Sequence, residues 1–278
     1  MIAAEWTKQW RRTRTWTVVA AAALFPVVVT AALVASGSGQ VDRVGDIPLV
    51  VVPKQSGISV PFIALSSTMR FFLPLAVAIV AGECISAEAR TGRLRYALAN
   101  PISRTRYLLS RAAVAGSISI VLVLVLVVAA VIAGLVAFGW HPFTAVNGDQ
   151  TAVESVTTLS VWSSLAKLGI GTAYIIAGMA SIFSFALLLS TLTTRPFVAV
   201  AGGAALSVAS RVFNADYLPG VNLFGHYMPN NDIDLWQHLF AQPVDTSGMA
   251  RFLVLQVVYV AVFYVTAWWT FTRRDVLT

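Results

Sequence analysis

Long apolar runs separated by short clusters of charge make up this 278-residue chain. A helix needs about 20 mostly apolar residues to cross the hydrocarbon core of a bilayer. Six runs meet or approach that length, at 16–35, 61–81, 112–138, 168–189, 197–210 and 252–271. The fifth is short and rich in glycine and alanine. Together they predict an all-α integral membrane protein with six transmembrane helices in one domain, 1–278. The first run follows a basic head and ends in small residues, as a secretory signal does. Its apolar stretch exceeds the usual signal core of about 7–15 residues, so a permanent helix kinked at Pro26 is expected.

Two shorter segments carry a helical period of a different kind. In 1–15, Ile2, Trp6 and Trp10 recur every four residues, backed by Glu5, Lys8, Arg11, Arg12 and Arg14. This predicts a helix lying in the membrane interface, although a basic topology signal with interfacial tryptophans fits equally. In the outer segment 214–248, Ile233, Trp236, Leu239 and Phe240 share one helical face after Asn230 or Asn231 as a cap. A short helix at or dipping into the outer surface is expected there, with a small globular cap as the alternative.

Charge gives these spans a direction. Basic residues tend to remain on the cytoplasmic side. Lys8, Arg11, Arg12 and Arg14 precede the first run, Arg90, Arg93, Arg95, Arg104, Arg106 and Arg111 follow the second, Arg195 follows the fourth, and Arg273 and Arg274 follow the sixth. The opposite loops hold only Arg43, Lys54, Lys167, Arg211 and Arg251. This asymmetry predicts a multi-pass protein of the plasma (cytoplasmic) membrane with both termini cytoplasmic. The net charge of +7 therefore reads as a membrane-surface feature, and no aromatic-interleaved basic patch points to nucleic acid.

Within a chain that is 58% hydrophobic and only 11% charged, 83–111 is unusually dense in arginine. Leu94, Ala97 and Leu98, with Ala87 earlier, form an apolar face from Glu88 onward, while Arg90, Arg93 and Arg95 point elsewhere. An amphipathic surface helix is expected, ended by Asn100-Pro101, with Ser103 capping the helix that follows. Lipid anchoring and topology alone would explain the charge without any fixed spacing. The order is nevertheless specific: Glu88-x-x-x-Gly92, Leu94, then Pro101-Ile102-Ser103-Arg104, then Arg111.

That order resembles the first intracellular loop of the type-2 ABC exporter permeases, in which a lysine usually stands where this chain has Arg111. The resemblance implies that 83–111 is a coupling loop whose helix docks in a cleft of a separate ATP-hydrolysing subunit. Glu88, Gly92, Arg93, Leu94, Pro101, Ser103, Arg104 and Arg111 would be its ATPase-coupling residues. It further implies that 1–15 is an elbow helix bearing Trp6, Trp10, Arg11 and Arg12.

Other chemistry is sparse. A phosphate-cradling loop needs a lysine after glycine, and Lys8, Lys54 and Lys167 follow threonine, proline and alanine. No nucleophile elbow or zinc-binding histidine motif is present, so no catalytic or metal residue is assigned and ATP with Mg is expected only on the partner subunit. The single cysteine, Cys84, reads as a small buried residue. Arg70 lies inside the second run, about 13 Å deep at 1.5 Å per residue, which makes it a candidate cargo-path or gating residue. Small-residue stripes, Ala173-Ala177-Ser181 and Ala201-Ala205-Ala209, mark expected helix contacts, one of which could belong to a dimer seam.

The expectation is a permease subunit of an ATP-driven exporter, paired with itself or a sister permease and with ATPase subunits. Its cargo would be amphipathic or hydrophobic, such as a drug, a peptide antibiotic or a lipid-like molecule, moved by alternating access. The alternatives are a non-transporting anchor or signalling subunit on an ATPase, and a secondary transporter, which would show inverted repeats and discontinuous spans.

Overall fold

The computed structural model describes residues 2–10, 13–35, 49–51, 56–92, 103–149, 152–213, 225, 227–241, 244 and 246–273. These residues are mostly helical. In chain order the helices are α1 (Ile2–Trp10), α2 (Thr13–Ala35), α3 (Ser59–Thr68), α4 (Phe72–Arg90), α5 (Arg104–Phe138), α6 (Val161–Leu192), α7 (Pro196–Val212), a 3-10 helix (Asn231–Phe240) and α8 (Ser247–Arg273). Five of them, α2, α4, α5, α6 and α8, are long and apolar enough to cross a membrane, and α3 and α7 are shorter apolar helices. The protein is a multi-pass membrane protein.

The helices extend past the apolar runs that announce them. At 35 and 32 residues, α5 and α6 are about 52 and 48 Å long, well beyond a hydrocarbon core of about 30 Å. Ser103 starts α5 as expected, its hydroxyl accepting from the backbone N–H of Arg106. Ser160 does the same for α6 through Ser163. Helix α2 runs through Pro26 as one element, with Thr30 Oγ1 donating to the Pro26 carbonyl.

The second run is not one helix. It divides into α3 and α4 at Met69–Phe71, where Phe71 leaves the helical region at φ −139°, ψ −51°. Pro74 explains the break: it has no N–H for the Arg70 carbonyl, and its ring would collide with that carbonyl in a continuous helix. Arg70 therefore sits in a break, where a continuous span was expected.

A small antiparallel sheet, absent from the sequence expectation, joins the loops at one end. Strands β1 (Leu49–Val51), β2 (Phe143–Asp149) and β3 (Ala152–Leu159) lie in the order β1-β2-β3. Leu49 pairs with Asn147 and Phe143 with Leu159, with a bulge at Asn147/Gly148.

Contacts among the elements define two ends. At one, the start of α5 meets α1, the end of α4 and the end of α8, so α1 and the end of α8 lie at the same pole. At the other, the 3-10 helix plugs the space between α3, α6 and β2. Its face Ile233, Trp236, Leu239 and Phe240 is buried as the periodicity predicts. Asn230 does not cap it; the Asn230 amide donates to Ser207 on α7 at 2.9 Å. The α7 packing face is Ala199, Gly203, Ser207 and Ser210, offset from the expected Ala201-Ala205-Ala209 stripe. On α6, Ala173 is exposed and the close approaches occur at Gly171 and Gly178.

Candidate functional site

The charged segment singled out by sequence resolves into the ends of two long helices. Glu83 to Arg90 continue α4, and Arg104 to Arg111 form the first two turns of α5. Gly92 ends the α4 side in a left-handed conformation at φ 69°, which a glycine adopts without strain. Arg93, Leu94 and Pro101 lie outside the described residues, as do Arg11 and Arg12.

Between these helix ends lies a knot of buried charge. Arg111, 4% exposed, pairs with Glu88 on α4 and, at 2.5 Å, with Glu5 on α1. The Tyr107 hydroxyl donates to the other Glu88 oxygen. One turn apart on α5, the Arg111 guanidinium lies over the Tyr107 ring at 5.3 Å from its centroid. Glu88, itself 5% exposed, thus faces into the protein and has its oxygens committed there. A fork of guanidinium donors suits this task, since it can serve two carboxylates from one position, which a lysine ammonium does less well.

Neighbouring contacts extend the knot. Arg14 on α2 bridges to Glu83 at 2.7 Å, and Tyr107 stacks on Phe271 of α8 at 6.1 Å. Arg104 donates to the carbonyl of Thr272 at 3.1 Å, and Trp268 Nε1 donates to Thr105. Trp6 and Trp10 pack on each other, and Trp10 meets Trp16 edge-on. Cys84 is buried beside this cluster. Five helices, α1, α2, α4, α5 and α8, are therefore joined around the flanks of 93–102.

The opposite end is held differently. Phe62, Phe143, Trp236 and Phe240 form a ring cluster with centroid separations of 5.1 to 5.9 Å. Trp236 Nε1 points at Met69 Sδ, and the Gln237 amide donates to Ser66. These contacts seat the 3-10 helix against the broken segment. Arg70, the candidate gating residue, faces Asp234 at 3.7 Å, and Arg211 at the end of α7 faces the other oxygen of the same carboxylate at 3.6 Å. Arg251 pairs with Asp232 at 2.7 Å. Both Asp234 contacts are longer than the 2.7–3.2 Å of a good hydrogen bond. The Arg70–Asp234 pairing escaped the sequence reading because the partners are far apart along the chain.

Sequence comparison supplies a family and no curated relative: no curated protein matches the chain. The profile of one family covers residues 27–277, from the middle of α2 to beyond α8, and so includes the second part of α2 and every helix after it. On that match the chain belongs to the family described as protein of unknown function DUF2705.

Proposed function

We propose that this protein is the membrane-spanning permease subunit of an ATP-driven ABC exporter, with six spans, both termini cytoplasmic and the Arg111 end facing the cytoplasm. The observation that carries the reading is the order Glu88-x-x-x-Gly92, Pro101-x-Ser103-Arg104 and Arg111, together with the buried pairing of its first and last members. In this reading, 93–102 is the coupling element, and α7 supplies the short fifth span.

The physical case is leverage. A segment carried between two helices that are tied by a buried ion pair cannot yield independently of them, so a push on it moves α4 and α5 together. The pair to Glu5 would bring the N-terminal elbow helix into the same motion. Glu88 and Arg111 then act as internal struts, while Arg104 and the arginines of 93–102 offer the surface to an ATP-binding cassette subunit carrying ATP and Mg. A second permease subunit and membrane lipid complete the expected partners.

Purification of the tagged chain together with the ATPase encoded beside its gene tests this. Recovery of an active ATPase with the wild type, reduced in an Arg104→Glu, Arg106→Glu variant, is the expected result. No recovery in any lipid or detergent would overturn the reading. The break at Met69–Phe71 favours a secondary transporter, which uses discontinuous helices. Ion-driven flux by the chain alone would select that alternative.

A further inference from the structure

A half-open apolar pocket of about 140 Å³ lies between α4, α5 and α6, bounded by Val77, Gly116, Ser119, the exposed Ile120, Met179 and Phe183. That volume is of the order that admits a benzene-sized guest in an apolar cavity. The hydroxyl that lines this one, Ser119 Oγ, is already committed to the carbonyl of Ala115 at 3.0 Å. The walls thus offer mainly contact area, and the one hydroxyl proton lining them is already used. Met179 and Phe183 add a thioether and a ring, both of which make favourable edge and face contacts with aromatic groups.

Gly116 makes this space more than a packing gap. A glycine in the interior of a long helix lowers its stability relative to alanine. Elsewhere in the bundle a close neighbour accounts for the glycine. An added Cβ would come within 2.6 Å of Trp236 at Gly171, 2.9 Å of the Val200 backbone at Gly82 and 2.9 Å of Ala78 at Gly203. At Gly116 it would meet only the tip of Phe183 at 3.7 Å, an ordinary contact. Gly169 also has no close neighbour, but it is exposed and does not line the cavity. Among the described residues nothing requires glycine at 116, and the volume a side chain there would fill is part of the pocket.

We propose that this cavity binds one aromatic ring, the apolar part of the transported molecule. Its role in transport rests on the exporter reading; its ability to hold a ring does not. The location gives binding a mechanical consequence. Val77 and Ser119 lie about 16 and 12 Å along α4 and α5 from Glu88 and Arg111, at 1.5 Å per residue. A guest between the helices acts on the same two elements that the ion pair joins.

Photolabelling of the full chain in phosphatidylcholine nanodiscs tests the site. The probe is 3-trifluoromethyl-3-phenyldiazirine, and a phosphatidylcholine with an aliphatic diazirine in its acyl chain reports simple lipid access. The expected result is phenyl adducts on Ser119, Met179 and Phe183 well above those on the exposed α8 residues Val254 and Val262, and reduced by excess toluene. Acyl adducts should show the reverse distribution. Gly116→Leu should lower the cavity adducts about tenfold, equivalent to a tenfold loss of affinity, with α8 labelling unchanged. Gly116→Ala, which the 3.7 Å clearance accommodates, should give a smaller loss in a protein that still folds.

Cavity labelling no higher than that of α8, acyl labelling of the cavity equal to phenyl labelling, or labelling indifferent to Gly116→Leu would overturn the proposal. The assay contains no ATPase. Positive labelling without ATPase recovery leaves a ring site and removes its cargo role; ATPase recovery without labelling leaves the exporter reading and removes the site.

Discussion

The two ends of the bundle are secured by opposite means. At the Arg111 end, one buried guanidinium joins Glu5 and Glu88, and three helices depend on it. At the Trp236 end, four aromatic rings fill the centre, while the Arg70 and Arg211 pairings with Asp234 stand at 3.6 to 3.7 Å on partly exposed side chains. Charge is thus held at close range where it is fully buried and at longer range where it is half-buried. Breaking a buried pair leaves an uncompensated charge, whereas a half-buried pair at 3.6 to 3.7 Å has less to lose. The difference also separates an end centred on one buried guanidinium from an end whose helix is broken and whose two Asp234 pairings are long, although Arg251 and Asp232 meet there at 2.7 Å.

Removing the cation from the knot should have the largest effect. Arg111→Met leaves Glu88 buried without its cation beside the partly exposed Glu5, and a loss of about 3–5 kcal/mol is expected, read as thermal unfolding in nanodiscs or as failure to accumulate. Adding Glu88→Met to Arg111→Met should recover part of that loss, because one stranded charge is gone. A double variant no better than the single one would contradict the pairing.

At the other end, Trp236→Ala should cost about 3–5 kcal/mol through the cavity it leaves among Phe62, Phe143 and Phe240. Gly171→Ala tests the same packing from the facing helix. Its Cβ would stand 2.6 Å from the Trp236 ring, and a loss of about 1–3 kcal/mol is expected from overpacking. The smallest effect belongs to Asp234→Asn, which should change stability by less than about 1 kcal/mol. A large loss there would show that the loose pairs brace the broken segment and would erase the contrast between the ends.

The apolar runs made the helices legible, because about 20 apolar residues in sequence have few uses outside a bilayer. The Trp236 face was legible too, since its side chains recur with helical spacing. The break at Met69–Phe71 was written in Pro74 but obscured by the apolar residues on both sides. The sheet was harder: Val153, Val156, Thr157 and Thr158 favour strands and β3 pairs with β2 just before it, but the third strand, β1, pairs with β2 from a loop far upstream. Glu88 and Arg111 were picked out by their order, while their contact with each other and with Glu5 depends on how three helices cross, which no local pattern encodes. The same holds for Arg70, whose candidacy came from an arginine in an apolar run and whose partner came only with the fold. The expected small-residue stripes held only in part, with Ser181 buried but Ala173, Ala201 and Ala205 exposed, because period alone does not say which face of an apolar helix meets a neighbour and which meets lipid.

On the exporter reading, a motor subunit acts on the Arg111 end. Thr91, exposed beside Gly92, and Phe213, exposed at the opposite end, are suitable positions for a photo-crosslinking amino acid in the full complex in native membranes. The probe at 91 should capture an ATP-binding cassette subunit and the probe at 213 should not. Capture from 213 alone, or from neither position while an ATPase copurifies with the chain, would contradict that reading.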